Sequence, residues 1–334
     1  MTTSEKDLRV GLLGCGFFGR SLAAGLREVP GAQLAAVADA SEDTAQVVAA
    51  EFGAAATTPD RLLTDFGLDA VLIATPNALH REHAVAASEA GLHVFVEKPM
   101  ALTTGDCQAM IDAAEHAGTR LIVGHVMRTL PAITRVKDML DRGELGEIQG
   151  ATGALVRRMN KANGPANWWK HDPRRSGGDI LHEIHILDLL CWLLDPQDPH
   201  GSGDPDNATL AMRSGQALVG YEISSVSRFP RWGLQINGTK ASVAFDMRAA
   251  TLTVISDAGT QVGGIFDDPA CDESLVETNT RPSAHNQAGT TAPLWMRRAI
   301  ELELAEAVRV FRGADSSPLL EHPDRSVRIA TSLF

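Results

Sequence analysis

Short apolar runs alternate with amphipathic stretches through the first third of the chain. The runs are LRVGLLG (8–14), AQLAAVAD (32–39), DAVLIAT (69–75), LHVFVEK (92–98) and TRLIVGH (119–125). Between them, 17–28, 41–52, 78–90 and 104–117 place apolar residues at helical spacing. Unbroken apolar strands, each followed by a helix, describe parallel βαβ units whose sheet is covered on both faces. Pro59, Pro76, Pro99 and Gly118 punctuate the connections.

The pattern changes after about residue 125. A helix over 131–142 leads to a strand near 147–157, then to a loop over 158–178 crowded with Asn, Pro, Trp and basic residues. A strongly periodic helix follows at 180–194. Residues 206–256 alternate apolar and polar positions, and Gly238 between Asn237 and Thr239 marks a hairpin turn. Without long crossover helices this second sheet is expected to be mainly antiparallel. Residues 257–291 lack clear periodicity, and helices near 293–312 and 323–334 close the chain. The predicted fold is α/β: an N-terminal doubly wound parallel sheet of the Rossmann type over 1–125, then an α+β domain over 126–334. A length of 334 residues fits two domains sharing one substrate cleft.

Composition narrows the function. Apolar residues make up 44% and charged residues 22%, ordinary values for a globular chain, so a disordered or fibrous protein is excluded. A net charge of −12 argues against a nucleic-acid partner, which needs a basic footprint. No apolar run reaches the length of about 18 residues that a membrane span needs. Glu5, Lys6 and Asp7 precede a short apolar run without a cleavage pattern, so no signal peptide is expected. Cys15, Cys107, Cys191 and Cys271 are scattered and form no CxxC pair, as reduced thiols of a cytoplasmic protein would be, and no metal site is expected.

The first apolar run ends in Gly14-Cys15-Gly16-Phe17-Phe18-Gly19, a GxGxxG that opens a helix. In that context the glycines allow a tight turn, close approach of a pyrophosphate and close helix–strand packing. Free N–H groups and the helix dipole favour the anion at the helix N-terminus. The second strand ends at Asp39, twenty residues beyond Gly19. A carboxylate there binds both ribose hydroxyls and repels a 2′-phosphate, and no Arg or Lys follows in Ala40-Ser41-Glu42-Asp43, so NAD is favoured over NADP. The competing reading is a plain strand–turn–helix with an N-capping Asp.

The fifth run ends in Glu97-Lys98-Pro99, at the strand end that faces the ligand crevice of an open parallel sheet. An isolated lysine there would be a solvated surface group. The stretch AVLIATPNALHREHAVAASEAGLHVFVEKPMALT, the opening GCGFFG and the later GGDILHEIHILDLLCWLL together resemble the glucose–fructose oxidoreductase, inositol dehydrogenase and MocA family, in the right order along essentially the whole chain. The resemblance implies that Thr75, Pro76 and Asn77, with His80, form the loop beneath the cofactor riboses. It implies that Glu97 and Lys98 hold the nicotinamide ribose and the reacting oxygen, with a cis Lys98–Pro99 bond, and that Arg128 faces the cleft. It implies further that His185, Asp188 and Trp192 match the histidine motif of the later helix. The family's aspartate of that motif falls at Leu181, a departure, with His182 and Glu183 beside it.

On one helix His182, His185, Asp188 and Trp192 would share a face. A satisfied core histidine and a metal site compete with a substrate-facing one, but His-Glu-Ile-His is one residue short of HExxH. His185 is the first choice for the proton carrier and His182 its rival, with Asp188 orienting the imidazole or binding a substrate hydroxyl. Residues 157–175 hold Arg157, Arg158, Lys161, Lys170, Arg174 and Arg175 against the single acid Asp172, together with Trp168 and Trp169. Indole faces and guanidinium forks suit a carbohydrate ring and an anionic group, whereas an oligomer contact or a solvated loop would use the same residues.

The resulting expectation is an NAD-dependent oxidoreductase acting on a sugar, sugar acid or cyclitol, with Lys98 and His185 or His182 handling the proton. A dehydrogenase of carboxylated cyclic cis-diols and a catalytically silent dinucleotide-binding regulator are the alternatives. The sparsely covered second sheet, together with the resemblance, implies a homodimer or homotetramer.

Overall fold

The computed structural model describes residues 6–158, 169–280 and 292–333, which form two compact units. The first holds residues 6–126, Ala292 and Met296–Pro323, and the second holds 127–280, Pro293–Trp295 and 324–333.

In the first unit, β1 (Leu8–Leu13), β2 (Ala32–Ala38), β3 (Ala55–Thr57), β4 (Ala70–Ile73), β5 (His93–Glu97) and β6 (Leu121–Gly124) form one sheet in the order β3-β2-β1-β4-β5-β6. Every pairing is parallel. Helices α1 (Phe17–Arg27), α2 (Glu42–Phe52), α3 (Pro59–Asp65), α4 (His80–Glu89) and α5 (Thr104–Ala117) make the crossovers. The interior strands are apolar because both faces are covered: all of β4 is buried, and Leu12, Ile73 and Phe95 are fully so. Side chains stop and start the helices where the sequence indicates. Ser41 accepts from the Thr44 N–H at the start of α2, Thr103 accepts from the Asp106 N–H at the start of α5, and Gly53 and Gly118 end these helices in the left-handed region. The edge strand β3 spans three residues, too few to leave an apolar signature. The strand order reverses between β1 and β4, which is where this architecture binds ligands.

The second unit is built on β7 (Ile148–Val156), β8 (Gln197–Asp204), β9 (Asn207–Ser214), β10 (Ala217–Ser224), β11 (Arg231–Gly238), β12 (Ala241–Asp246), β13 (Thr251–Ser256) and β14 (Gly259–Gly264). They form one sheet in the order β14-β13-β12-β11-β7-β10-β9-β8, antiparallel except for the parallel pair β7–β10. Burial alternates along β9 and β10, so one face is inner and the other exposed. Helices α6 (Pro131–Asp141), α7 (Pro173–Ser176), α8 (Gly178–His182), α9 (His185–Leu194) and α10 (Pro269–Thr280) belong to this unit, and the apolar α9 packs on the inner face. That packing needs Gly153 on β7, where a Cβ would come within 2.8 Å of Ile186 and Leu190.

Two expectations are corrected. The helix expected over 180–194 is two helices broken at Glu183 and Ile184; buried Ile180, Leu181 and Ile184 keep a helical spacing across the break, so the periodicity does not mark it. The stretch after residue 257, which lacks clear periodicity, contains β14 and α10, both mostly polar or exposed. The chain does not stay in the second unit after residue 126. Most of α11 (Leu294–Phe311) returns to the first unit, where Ile300, Leu304, Ala307, Val308 and Phe311 join Leu12, Leu22 and Leu26 in one core. The short α12 (Arg325–Thr331) is in the second unit. An amphipathic stripe shows that a helix buries one side, not which sheet it covers. Among the described residues no helix is long and apolar enough to cross a membrane.

Candidate active site

In the first unit the singled-out residues follow the carboxyl ends of the parallel strands. Gly14 follows β1 with φ of 96°, and a Cβ there would lie 2.7 Å from the Ala74 carbonyl. Gly19 sits so close under the turn that a Cβ would lie 1.8 Å from the Gly14 oxygen. Gly16 differs: nothing lies within 4 Å of its missing Cβ, and no side chain caps the first turn of α1. One glycine makes the turn, one lets the helix approach, and one leaves open the space a pyrophosphate would fill beside the N–H groups of Phe17, Phe18 and Gly19.

Asp39, just past β2, is clamped by that loop. Its Oδ2 accepts from the Cys15 N–H at 2.7 Å and its Oδ1 from the Ser41 N–H at 2.9 Å. Each oxygen keeps a further lone pair for a ribose hydroxyl. Burial, reinforced by Asp39, pushes the Cys15 thiol up to about 12, so the cysteine within the glycine motif is inert.

After β4, the Thr75 hydroxyl lies 3.0 Å from His83 Nδ1, and Asn77 is buried at the start of a single helical turn after Pro76. After β5, Glu97 is half-buried, Lys98 is 9% exposed, and the Lys98–Pro99 bond is cis. His80, expected beside the riboses, is fully buried, with Nδ1 2.8 Å from the Pro99 carbonyl and Nε2 3.0 Å from the Thr75 carbonyl. Its ring nitrogens serve the backbone rather than a ligand, a correction that follows from its place at the N-terminus of α4, turned inward.

Sequence reasoning missed Glu303 on α11. It is 1% exposed, its Oε1 has no hydrogen-bond partner among the described residues, and burial together with Glu97 holds its carboxyl well above the usual carboxylate range. The signal was present: Glu303 interrupts the buried stripe Ile300, Leu304, Ala307 and Val308.

In the second unit the inner face of the sheet turns polar at the end of β7. Gly153 pairs with Tyr221 and Leu155 with Trp232, and Arg157 follows Val156 with its N–H on the Ser224 carbonyl. The break between α8 and α9 brings Glu183 to this end. Arg157 Nη2 donates to Glu183 Oε1 at 2.5 Å, His182 Nε2 lies 4.0 Å from the same oxygen, and the guanidinium sits 5.8 Å from the Trp232 ring. Tyr221, the only tyrosine of the chain, is 1% exposed, its hydroxyl has no hydrogen-bond partner among the described residues, and burial followed by Glu183 pushes its phenol up. Tyr221 and Trp232 were not anticipated, because a strand pattern treats an aromatic on the inner face as packing.

The helix break also separates the histidines: His182 ends α8 and His185 begins α9, both half-buried, rather than sharing one continuous stripe. Trp169 meets His182 edge-on at 5.9 Å and carries the Lys170 ammonium 5.7 Å over its ring. Trp168 and Lys161 lie outside the described residues. Arg128 and Asp188, expected to face substrate, are at most 2% exposed and bind each other through two bonds of 2.6 and 2.8 Å, with Arg128 5.6 Å from the Trp192 ring. A guanidinium this deep needs a carboxylate fork, so the pair belongs to the packing of α9. Of the basic loop, Arg157 is taken by Glu183, whereas Arg158, Arg174 and Arg175 are exposed. Among the described residues no three His, Cys, Asp or Glu side chains gather as a metal site would require.

The strand order, the glycine cradle and the carboxylate beside it define a dinucleotide-binding unit. Residues 8–125 match the oxidoreductase family with an NAD-binding Rossmann fold, and residues 133–244 match the GFO/IDH/MocA C-terminal domain. The chain belongs to this family of NAD-binding oxidoreductases. It is 28% identical to the 2,7-anhydro-N-acetylneuraminate hydratase of Escherichia coli over 92% of this chain and 87% of that protein. It is 33% identical to the scyllo-inositol 2-dehydrogenase (NAD(+)) of Bacillus subtilis over 60% of this chain and 57% of that protein. In fold it is similar to levoglucosan dehydrogenase in complex with NADH and levoglucosan, with a TM-score of 0.80, 22% identity, and coverage of 98% of this chain and 96% of that one.

Proposed function

We propose that this protein oxidises a secondary hydroxyl of a sugar, sugar acid or cyclitol, or reduces the matching carbonyl, with NAD as the coenzyme. What supports the reading is the buried Lys98 at the end of β5, in the same unit as a glycine cradle and Asp39. Bound NAD supplies the hydride acceptor; the protein positions it and manages the proton. Gly14, Gly16 and Gly19, with Phe17 and Phe18, hold the pyrophosphate, and Asp39 holds the adenosine ribose. Thr75, Pro76, Asn77 and Glu97 hold the nicotinamide ribose. Lys98 as the free amine takes the hydroxyl proton, and the ammonium so formed stabilises negative charge on the reacting oxygen; where Lys98 is already an ammonium it supplies only that stabilisation, and the proton leaves to His185, with His182 as the rival carrier. Trp169 offers an indole face to a ring.

An acidic substrate is favoured within this class. Arg158, Arg174 and Arg175 are exposed basic groups on one short stretch, and two relatives matched over at least 92% of this chain are named for 2,7-anhydro-N-acetylneuraminate, a carboxylate sugar. The protein assembles as a homodimer or homotetramer and works in the cytoplasm on a small polyhydroxylated substrate. A panel of sugars, sugar acids and inositols with NAD, read by NADH absorbance, tests the reading: turnover with a member of the panel supports it, and no NADH from any member contradicts it.

A further inference from the structure

His80 contacts the backbone just beyond both strand ends that carry the cofactor-side residues. Its Nε2 meets the Thr75 carbonyl, after β4, and its Nδ1 meets the Pro99 carbonyl, after β5. The ring is fully buried, so water does not compete for either contact. Lys98, 9% exposed, is the residue immediately before the Pro99 that His80 holds.

We infer that His80 is a positioning residue for Lys98, bridging the Thr75 strand end to the Lys98–Pro99 turn and fixing the direction in which the ammonium points. The functional weight of this inference rests on the reading of Lys98 as the proton-handling group.

Carbonyl oxygens only accept, and a neutral imidazole has one N–H for the two of them. Burial is the largest influence on the ring and holds its pKa at about 4, while the two carbonyls pull it upward and His83 and Lys98 push it down. At neutral pH the single proton therefore serves one carbonyl at a time, and the ring's shape and packing supply the rest of the bridge. A donor-bearing replacement of similar reach should keep the bridge, and an apolar ring of similar volume should not.

The test uses His80→Gln and His80→Phe in the full chain. Lys98 is probed by competitive labelling with acetic anhydride across pH, and NADH affinity by its fluorescence. Misplacing a positioned group by about an ångström costs on the order of a hundredfold in its chemistry, so the labelling rate of Lys98 in His80→Phe should change by at least about tenfold. His80→Gln should stay within about threefold of wild type, about the effect of one net hydrogen bond or less. Equal Lys98 labelling and equal NADH affinity in wild type and a folded His80→Phe overturn the inference. If His80→Phe does not fold, ¹⁵N NMR of the wild-type histidine rings decides. The bridge requires a slowly exchanging His80 N–H that does not titrate near 6.5, the ordinary histidine value, and a fast-exchanging ring titrating there overturns it. Full turnover by Lys98→Ala would instead defeat the reading of Lys98 while leaving these readouts of the bridge intact.

Discussion

Arg128 and Asp188 cannot be separated cheaply, because each would leave an uncompensated charge in the interior. Asp188→Asn keeps the shape and removes the charge, so urea unfolding should show a loss of roughly 3–5 kcal/mol, the range for breaking a buried pair. A loss under about 1 kcal/mol, the range of exposed pairs, would mean that the pair is solvated. Asp39 works the other way, as a carboxylate held by two backbone N–H groups. Asp39→Ser should weaken NAD and relax the exclusion of NADP, measured as the ratio of kcat/KM for the two coenzymes; faster wild-type turnover with NADP at equal concentration would contradict the assignment. At this scale the sequence was legible where chemistry demands a residue type at a strand end: Gly14, Gly16, Gly19, Asp39 and Lys98 lie where the spacing puts them. It was illegible where a residue's partner is backbone. Nothing in the letters around His80 says that its nitrogens meet two carbonyls.

Single elements carry the next level of explanation. α11 brings Glu303, whose carboxyl is held above its ordinary value by burial and by Glu97, against the sheet of the first unit. A carboxyl held above its ordinary value keeps its proton in the folded state while the unfolded chain releases it, so this group lowers stability progressively as pH rises above about 4.5. Glu303→Gln removes the titration, and its melting temperature relative to wild type should climb between pH 5 and pH 8. A constant difference across that range would show that Glu303 does not hold its proton. On β7, Gly153 sets the distance of α9 from the sheet, and Gly153→Val should cost on the order of 1–3 kcal/mol through overpacking, read by thermal unfolding. The helix pattern over 180–194 predicted a single face for His182 and His185. The break at Glu183 was hidden because the carboxylate that sits there is held by Arg157, a partner 26 residues earlier and on a strand end. Periodicity reports burial; it does not report a polar hub inside a buried run.

For the molecule as a whole, the doubly wound sheet and the large mixed sheet were both readable, since each rests on a repeating pattern. The return of residues 296–323 to the first unit was not, because it depends on which of two apolar cores a helix meets. The exposed face of the second sheet carries Leu218 at 59%, Ile255 at 53% and Val262 at 64% exposure. The proposed assembly would cover these side chains with a second copy of the chain. Light scattering at micromolar concentration should give the mass of a dimer or tetramer, and Leu218→Arg should shift it toward the 35.6 kDa monomer. A monomeric wild type would contradict this. The central claim, that Lys98 manages the proton of an NAD-dependent oxidation, is tested most directly by comparing Lys98→Ala with wild type on a substrate that forms NADH. The account predicts a kcat lower by on the order of 10²–10⁴ with NAD affinity nearly intact. A variant that turns over as fast as wild type would contradict it.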